Sequence, residues 1–123
     1  IMARYHVLLI DDDKWLVELF ATSLKKHGFG VSVAQDGLEG MERIDEKKPD
    51  VIVLDLFMPG PNGLVLLHEL QSHADLASVP VVLCTNSADS IATAELVPYG
   101  VRRVLDKTTM SPDDVVAAVR ACI

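Results

Sequence analysis

No stretch of this 123-residue chain approaches the ~20 consecutive apolar residues of a membrane-spanning helix, and its start lacks the charged-then-apolar pattern of a secretory signal. Cysteine is scarce. Cys84 lies in a strand-like run and Cys122 in the last helical stretch, so neither a disulfide framework nor a metal-ligand spacing is present, and both read as core residues in a reducing cytoplasm. His6, His27, His68 and His73 are scattered without a ligand pattern. Basic residues are the minority, 11 against 18 acidic, and a net charge of −7 argues against this segment gripping nucleic acid directly. There is no glycine-rich phosphate loop, which removes a nucleotide-binding reading. Repeats, low-complexity tracts and Gly/Ser linkers are also missing, and the length suits one compact domain. Ile1 before Met2 is an odd start, so residues 1–5 are read as an appended tail and 6–123 as the domain. Whether that domain stands alone or was cut from a longer protein stays open.

What is present is alternation. Apolar runs and amphipathic stretches take turns five times, as in a doubly wound α/β fold with a parallel sheet. After Asp13, Leu16, Leu19, Phe20 and Leu24 recur at helical spacing up to Gly28. Gly30 to Gln35 reads as a second strand. Asp36 with Glu39 resembles a capping box for a helix carrying Leu38, Met41 and Ile44. The turn Met58-Pro59-Gly60-Pro61-Asn62-Gly63 precedes a helix through Leu66, Leu67 and Leu70. Ala88 to Val97 is the weakest helix, closed by Pro98-Tyr99-Gly100. The last is the clearest, with Ser111 as N-cap, Pro112 at the first position, and Val115, Val116, Val119 and Cys122 on its inner face.

Four of the five apolar runs end on groups suited to phosphoryl chemistry. Val7–Ile10 leads into Asp11, Asp12 and Asp13; Val51–Leu54 stops at Asp55; Val79–Cys84 stops at Thr85; Val104-Leu105-Asp106 delivers Lys107. Ligands of parallel α/β sheets bind outside the carboxyl ends of the strands, so these groups meet at one edge if the runs lie side by side. Converging carboxylates repel and need a cation; Mg²⁺ accepts one or two of them together with phosphate oxygens and water. Asp55 is then a candidate nucleophile forming an acyl phosphate. Lys107 would cover developing negative charge and Thr85 would donate a hydrogen bond. Singly, each has a plainer reading: Asp13 as a helix cap, Thr85 as a strand end, Lys107 as a surface charge. Their coincidence at one edge favours the site.

VLLIDDD (7–13), VIVLDLFMPGPNG (51–63), PVVLCT (80–85) and RVLDK (103–107) resemble, in order and spacing, the receiver domain of two-component response regulators. The resemblance spans about His6 to Cys122. It implies a flavodoxin-like doubly wound five-stranded sheet of order 2-1-3-4-5 flanked by five helices. It makes Asp55 the phosphoacceptor and one of the Mg²⁺ ligands, Asp12 the direct Mg²⁺ ligand, Asp11 a ligand acting mainly through water, and the Phe57 carbonyl a further ligand. Lys107 would pair with Asp55 or its phosphate, and Thr85 would be the switch hydroxyl. Such a domain catalyses only its own phosphorylation and dephosphorylation. The donor would be a phosphohistidine on a sensor histidine kinase or phosphotransfer protein, and the recipient of the signal an effector domain or downstream protein. The resemblance also allows a homodimer through the face of the fourth helix, fifth strand and fifth helix.

Three positions depart from the family pattern. Asn86 is larger than the usual small residue after the switch threonine. Thr108 stands where a cis-proline normally follows the lysine, and for a non-proline the cis form costs about 3 kcal/mol. Val104 replaces the Tyr or Phe that often acts as a rotamer switch. A pseudo-receiver working through constitutive contacts fits Val104 and Thr108 but not the intact acidic and basic groups. An aspartate-dependent phosphatase would often carry a second acid where Phe57 stands.

Overall fold

The computed structural model describes residues 4–56, 63–86 and 93–123. Five strands, β1 (His6–Ile10), β2 (Gly30–Ala34), β3 (Val51–Asp55), β4 (Val81–Thr85) and β5 (Val101–Asp106), alternate with α1 (Lys14–Lys26), α2 (Gly37–Glu46), α3 (Gly63–Gln71), α4 (Thr93–Leu96) and α5 (Pro112–Arg120). The strands form one parallel sheet of order β2-β1-β3-β4-β5. This is the expected topology. No helix among the described residues is long and apolar enough to cross a membrane.

The three inner strands β1, β3 and β4 are buried at every position, because helices cover both sheet faces. Alternating side chains divide the core in two. Val7, Leu9, Val51, Val53, Val82 and Cys84 pack under α1 and α5. Leu8, Ile10, Ile52, Leu54, Val81 and Leu83 pack under α2 and α3. On β5 this phase is interrupted. Val101 pairs with Val81 but Arg103 with Val82, so Arg102 is an extra residue, a β-bulge. Val101 and Val104 consequently both face the α2–α3 side, while Leu105 turns to the α1–α5 side.

The helices keep the expected starts but not all of the expected faces. Asp13, Asp36 and Ser111 cap α1, α2 and α5 through bonds from the N–H groups of Leu16, Glu39 and Asp114. The reciprocal half of a capping box forms at Ser111–Asp114; at α2 the Glu39 carboxylate pairs with Arg43 at 3.6 Å. In α1 the buried stripe is Val17, Phe20, Ala21 and Leu24, and Leu19 is exposed. In α2 it is Gly37, Gly40 and Ile44, and Leu38 is exposed. α2 lies on the sheet along Gly37 and Gly40, which lets its backbone approach closely and turns Leu38 outward, whereas the stripe of α1 runs through Val17 and Ala21 and leaves Leu19 outside it. β2 stops one residue before the expected end, at Ala34, whose carbonyl takes the Asp11 N–H at 3.0 Å. Of the weak fourth helix, residues 88–92 lie outside the described residues. Its described part is one turn that runs into a 3-10 turn at Val97–Tyr99 and stops at Gly100, whose φ of +84° suits only glycine comfortably.

Candidate functional site

The period of the pleat aims the charged groups. Asp11 continues the phase of Val7 and Leu9, Asp55 that of Val51 and Val53, and Lys107 that of Leu105, all on the α1–α5 side. For Lys107 this depends on the bulge: an unbroken β5 would carry position 107 in phase with Val101, on the other side of the sheet. The result is a buried ionic triad. Lys107 Nζ donates to Asp11 Oδ2 at 2.9 Å and to Asp55 Oδ2 at 3.2 Å. All three side chains are largely withdrawn from solvent.

Asp11 Oδ1 is also occupied, accepting the Asp13 N–H at 3.0 Å. Asp12 is exposed beside them, and oxygens of Asp11, Asp12 and Asp55 all lie within 4.8 Å of one another. Three carboxylates against one ammonium leave a formal charge of −2 at the cluster. That charge, the oxygen-only donor set and one solvent-facing side suit a divalent hard cation that keeps several waters. Phe57, the fourth expected ligand, lies outside the described residues. Thr85 is fully buried at the end of β4, opposite Asp106, and its carbonyl accepts the Lys107 N–H at 3.0 Å. Asn86, next along, is exposed.

Burial opposes the Lys107 charge, but the hydrogen bond and charge of Asp11, followed by those of Asp55, outweigh it and raise the ammonium above its ordinary range. Lys107 therefore stays charged at any physiological pH. Cys84, in the neighbouring core, is pushed up to about 12 by burial and then by the Asp11 charge, so it is no thiolate nucleophile.

The structure thus brings Asp11, Asp12, Asp55 and Lys107 together, places Thr85 at the adjoining strand end, and makes Asp13 a helix cap. Sequence reasoning paired Lys107 with Asp55 and missed its shorter bond to Asp11. It also passed over Gly63. A Cβ there would sit 2.7 Å from the Asp55 carbonyl oxygen and 2.8 Å from Leu56 Cα. The Asn62-Gly63 pair signals a turn, but not that α3 begins against the strand carrying Asp55.

A doubly wound sheet with acids just after its first strand and at the end of its third, and a lysine after its fifth, defines the class. Residues 7–120 match the family model of the response regulator receiver domain, and the chain belongs to that family. It is 31% identical over 118 residues to the DNA-binding response regulator MtrA of Mycobacterium tuberculosis, covering 96% of this chain and 50% of that protein. It is 33% identical over 121 residues to the transcriptional regulatory protein CseB of Streptomyces coelicolor, covering 96% and 49%. The chain spans about half the length of these relatives. Among solved structures, the receiver domain of the Francisella response regulator 1452 superposes with a TM-score of 0.82 at 29% identity, covering 97% of this chain and 96% of that one. Vibrio cholerae chemotaxis protein CheY4 shares the fold, with a TM-score of 0.87 at 22% identity and coverage of 98% and 100%. The chain is a receiver domain, a module whose family works as a phosphoacceptor switch.

Proposed function

We propose that Asp55 is the phosphoacceptor of this domain, with Asp11 and Asp12 holding Mg²⁺ beside it and Lys107 and Thr85 contacting the phosphoryl group. The observation that carries this reading is the triad: a buried carboxylate at a strand end, bridged to a second by the Lys107 ammonium, beside an exposed third. Bound Mg²⁺ would neutralise negative charge on the phosphoryl oxygens. The chain's own residues do the rest. An Asp55 carboxylate oxygen attacks the phosphorus of a donor phosphohistidine; the O–P bond forms, the N–P bond breaks, and the freed imidazole takes a proton from solvent. The transition state spreads charge over the three equatorial oxygens. Lys107 covers part of that charge, and the Thr85 hydroxyl donates to another oxygen. Burial of Asp55 keeps bulk water from solvating the carboxylate.

On this reading residues 6–123 form a cytoplasmic domain that takes its phosphoryl group from a sensor histidine kinase or phosphotransfer protein. It controls an effector domain or partner protein and contacts neither nucleic acid nor membrane itself. It turns over no substrate beyond its own acyl phosphate. Intact-mass measurement after incubation with acetyl phosphate and Mg²⁺ should show one added phosphoryl group in the wild type and none in Asp55→Asn. An equal shift in both would remove Asp55 from the role.

A further inference from the structure

Lys107 carries its charge at the end of a flexible stem, so its reach to two carboxylates depends on where its backbone is fixed. On one side the Lys107 N–H is tied to the Thr85 carbonyl at 3.0 Å. On the other side the chain leaves the sheet, and a single neighbour organises it. Asp106 Oδ1 accepts the Thr108 N–H at 2.8 Å and the Thr108 hydroxyl at 2.6 Å. A carboxylate that takes the N–H two residues on closes an Asx turn around the residue between them. That enclosed residue is Lys107. The Asp106 carbonyl then accepts the N–H groups of Thr109 at 3.2 Å and Met110 at 2.8 Å, so the same residue starts the connection to α5. Both bonds from Thr108, the hydroxyl's first, lower the Asp106 carboxyl from its ordinary range, as expected of a carboxylate that accepts two hydrogen bonds.

We propose that the Asp106–Thr108 clasp is a positioning device for Lys107 in phosphoryl transfer to this domain. Neither residue touches the reacting atoms; both act by fixing the backbone from which the lysine extends. The proposal rests on the reading of Asp55 as phosphoacceptor. Thr108 restrains this turn through two donors to one carboxylate, with no cis peptide bond among the described residues.

The test is single-turnover phosphorylation by acetyl phosphate, followed by intact mass, with Mg²⁺ half-saturation measured separately. Asp106→Ala is expected to lower the limiting rate by about tenfold, since small misplacements of a charged group cost rate steeply, while Mg²⁺ half-saturation is unchanged. Asp106→Asn keeps an acceptor oxygen and should recover most of the rate. Thr108→Val should show a smaller loss than Asp106→Ala, and Thr108→Ser should behave as wild type. In a Lys107→Ala background, Asp106→Ala should add nothing. Thermal melting confirms that each variant is folded, and if Asp106→Ala is not, the Thr108→Val and Thr108→Ser pair decides. Unchanged rates in both Asp106→Ala and Thr108→Val, or an equal further loss when Lys107 is already absent, overturn the clasp alone. No uptake by wild type overturns both the clasp and the Asp55 assignment.

Discussion

Asp11, Asp12 and Asp13 are chemically identical neighbours to which the backbone gives three different tasks. Asp11 is buried, bonded to Lys107 and to the Asp13 N–H. Asp12 faces solvent with an oxygen in the acidic cluster. Asp13 Oδ1 accepts the Leu16 N–H at 3.1 Å as the cap of α1. Asp12→Ala is therefore expected to weaken Mg²⁺ binding strongly, followed through the fluorescence of exposed Trp15. Asp13→Ala should instead cost about 1 kcal/mol of stability with little change in metal affinity. Equal losses of affinity would refute this division. At the opposite end of the sheet His6 is buried, its N–H on Asp50 Oδ2 at 2.7 Å and its Nε2 2.8 Å from Ser32 Oγ. Burial first, and the Lys47 charge second, lower its pKa from 6.5 against the opposing pull of Asp50. Its unfolded pKa is the higher one, so the unfolded chain takes up the proton first. The histidine's contribution is full above its unfolded pKa and is lost as pH falls toward the folded value. Urea unfolding compared at about pH 7.5 and pH 5 should show a smaller acid loss for His6→Gln than for wild type.

Elements differ in how much substitution they tolerate, and two glycines show it. A Cβ at Gly40 would meet the Ile10 Cδ1 tip at 2.8 Å, which a rotamer change can relieve. A Cβ at Gly63 would meet backbone of the strand end at Asp55 and Leu56, which cannot yield without moving the site. Alanine gains up to about 1 kcal/mol over glycine inside a helix, but overpacking against fixed atoms costs about 1–3 kcal/mol. Gly40→Ala should be near neutral in denaturant unfolding, and Gly63→Ala destabilising with a reduced phosphorylation rate. At the other extreme of rigidity, α5 has a full capping box and buries Val115, Val116, Ala118 and Val119, whereas the 3-10 turn after α4 buries nothing. Amides of residues 93–99 should exchange faster than those of α5 and change protection when beryllofluoride is bound, because weakly packed segments shift population on small differential contacts. Protection changes confined to other elements would exclude this route for the signal.

For the molecule as a whole, the alternation of apolar runs and helical stretches was enough to read a parallel α/β sheet and the charged groups at its strand ends, while the strand order followed from the family resemblance. Continuous apolar strands such as Val51–Leu54 carry that signal because both their faces are covered. What the sequence concealed depended on partners. The inner face of α2 is set by Gly40 pressed on Ile10 and that of α1 by a stripe running through Val17 and Ala21, so Leu38 and Leu19 misled. The bulge at Arg102 leaves no mark in a short strand, yet it decides which side of the sheet Lys107 serves. The Lys107–Asp11 bond joins residues 96 apart, and no local pattern records it. The bulge has one more effect. β5 is an outer strand, and an outer strand exposes backbone groups on which another chain can build. Arg102 breaks their even spacing, and with Arg103 it sets exposed positive charges where two copies would have to align. The irregularity that directs the lysine inward thereby also guards this margin against edge-to-edge aggregation.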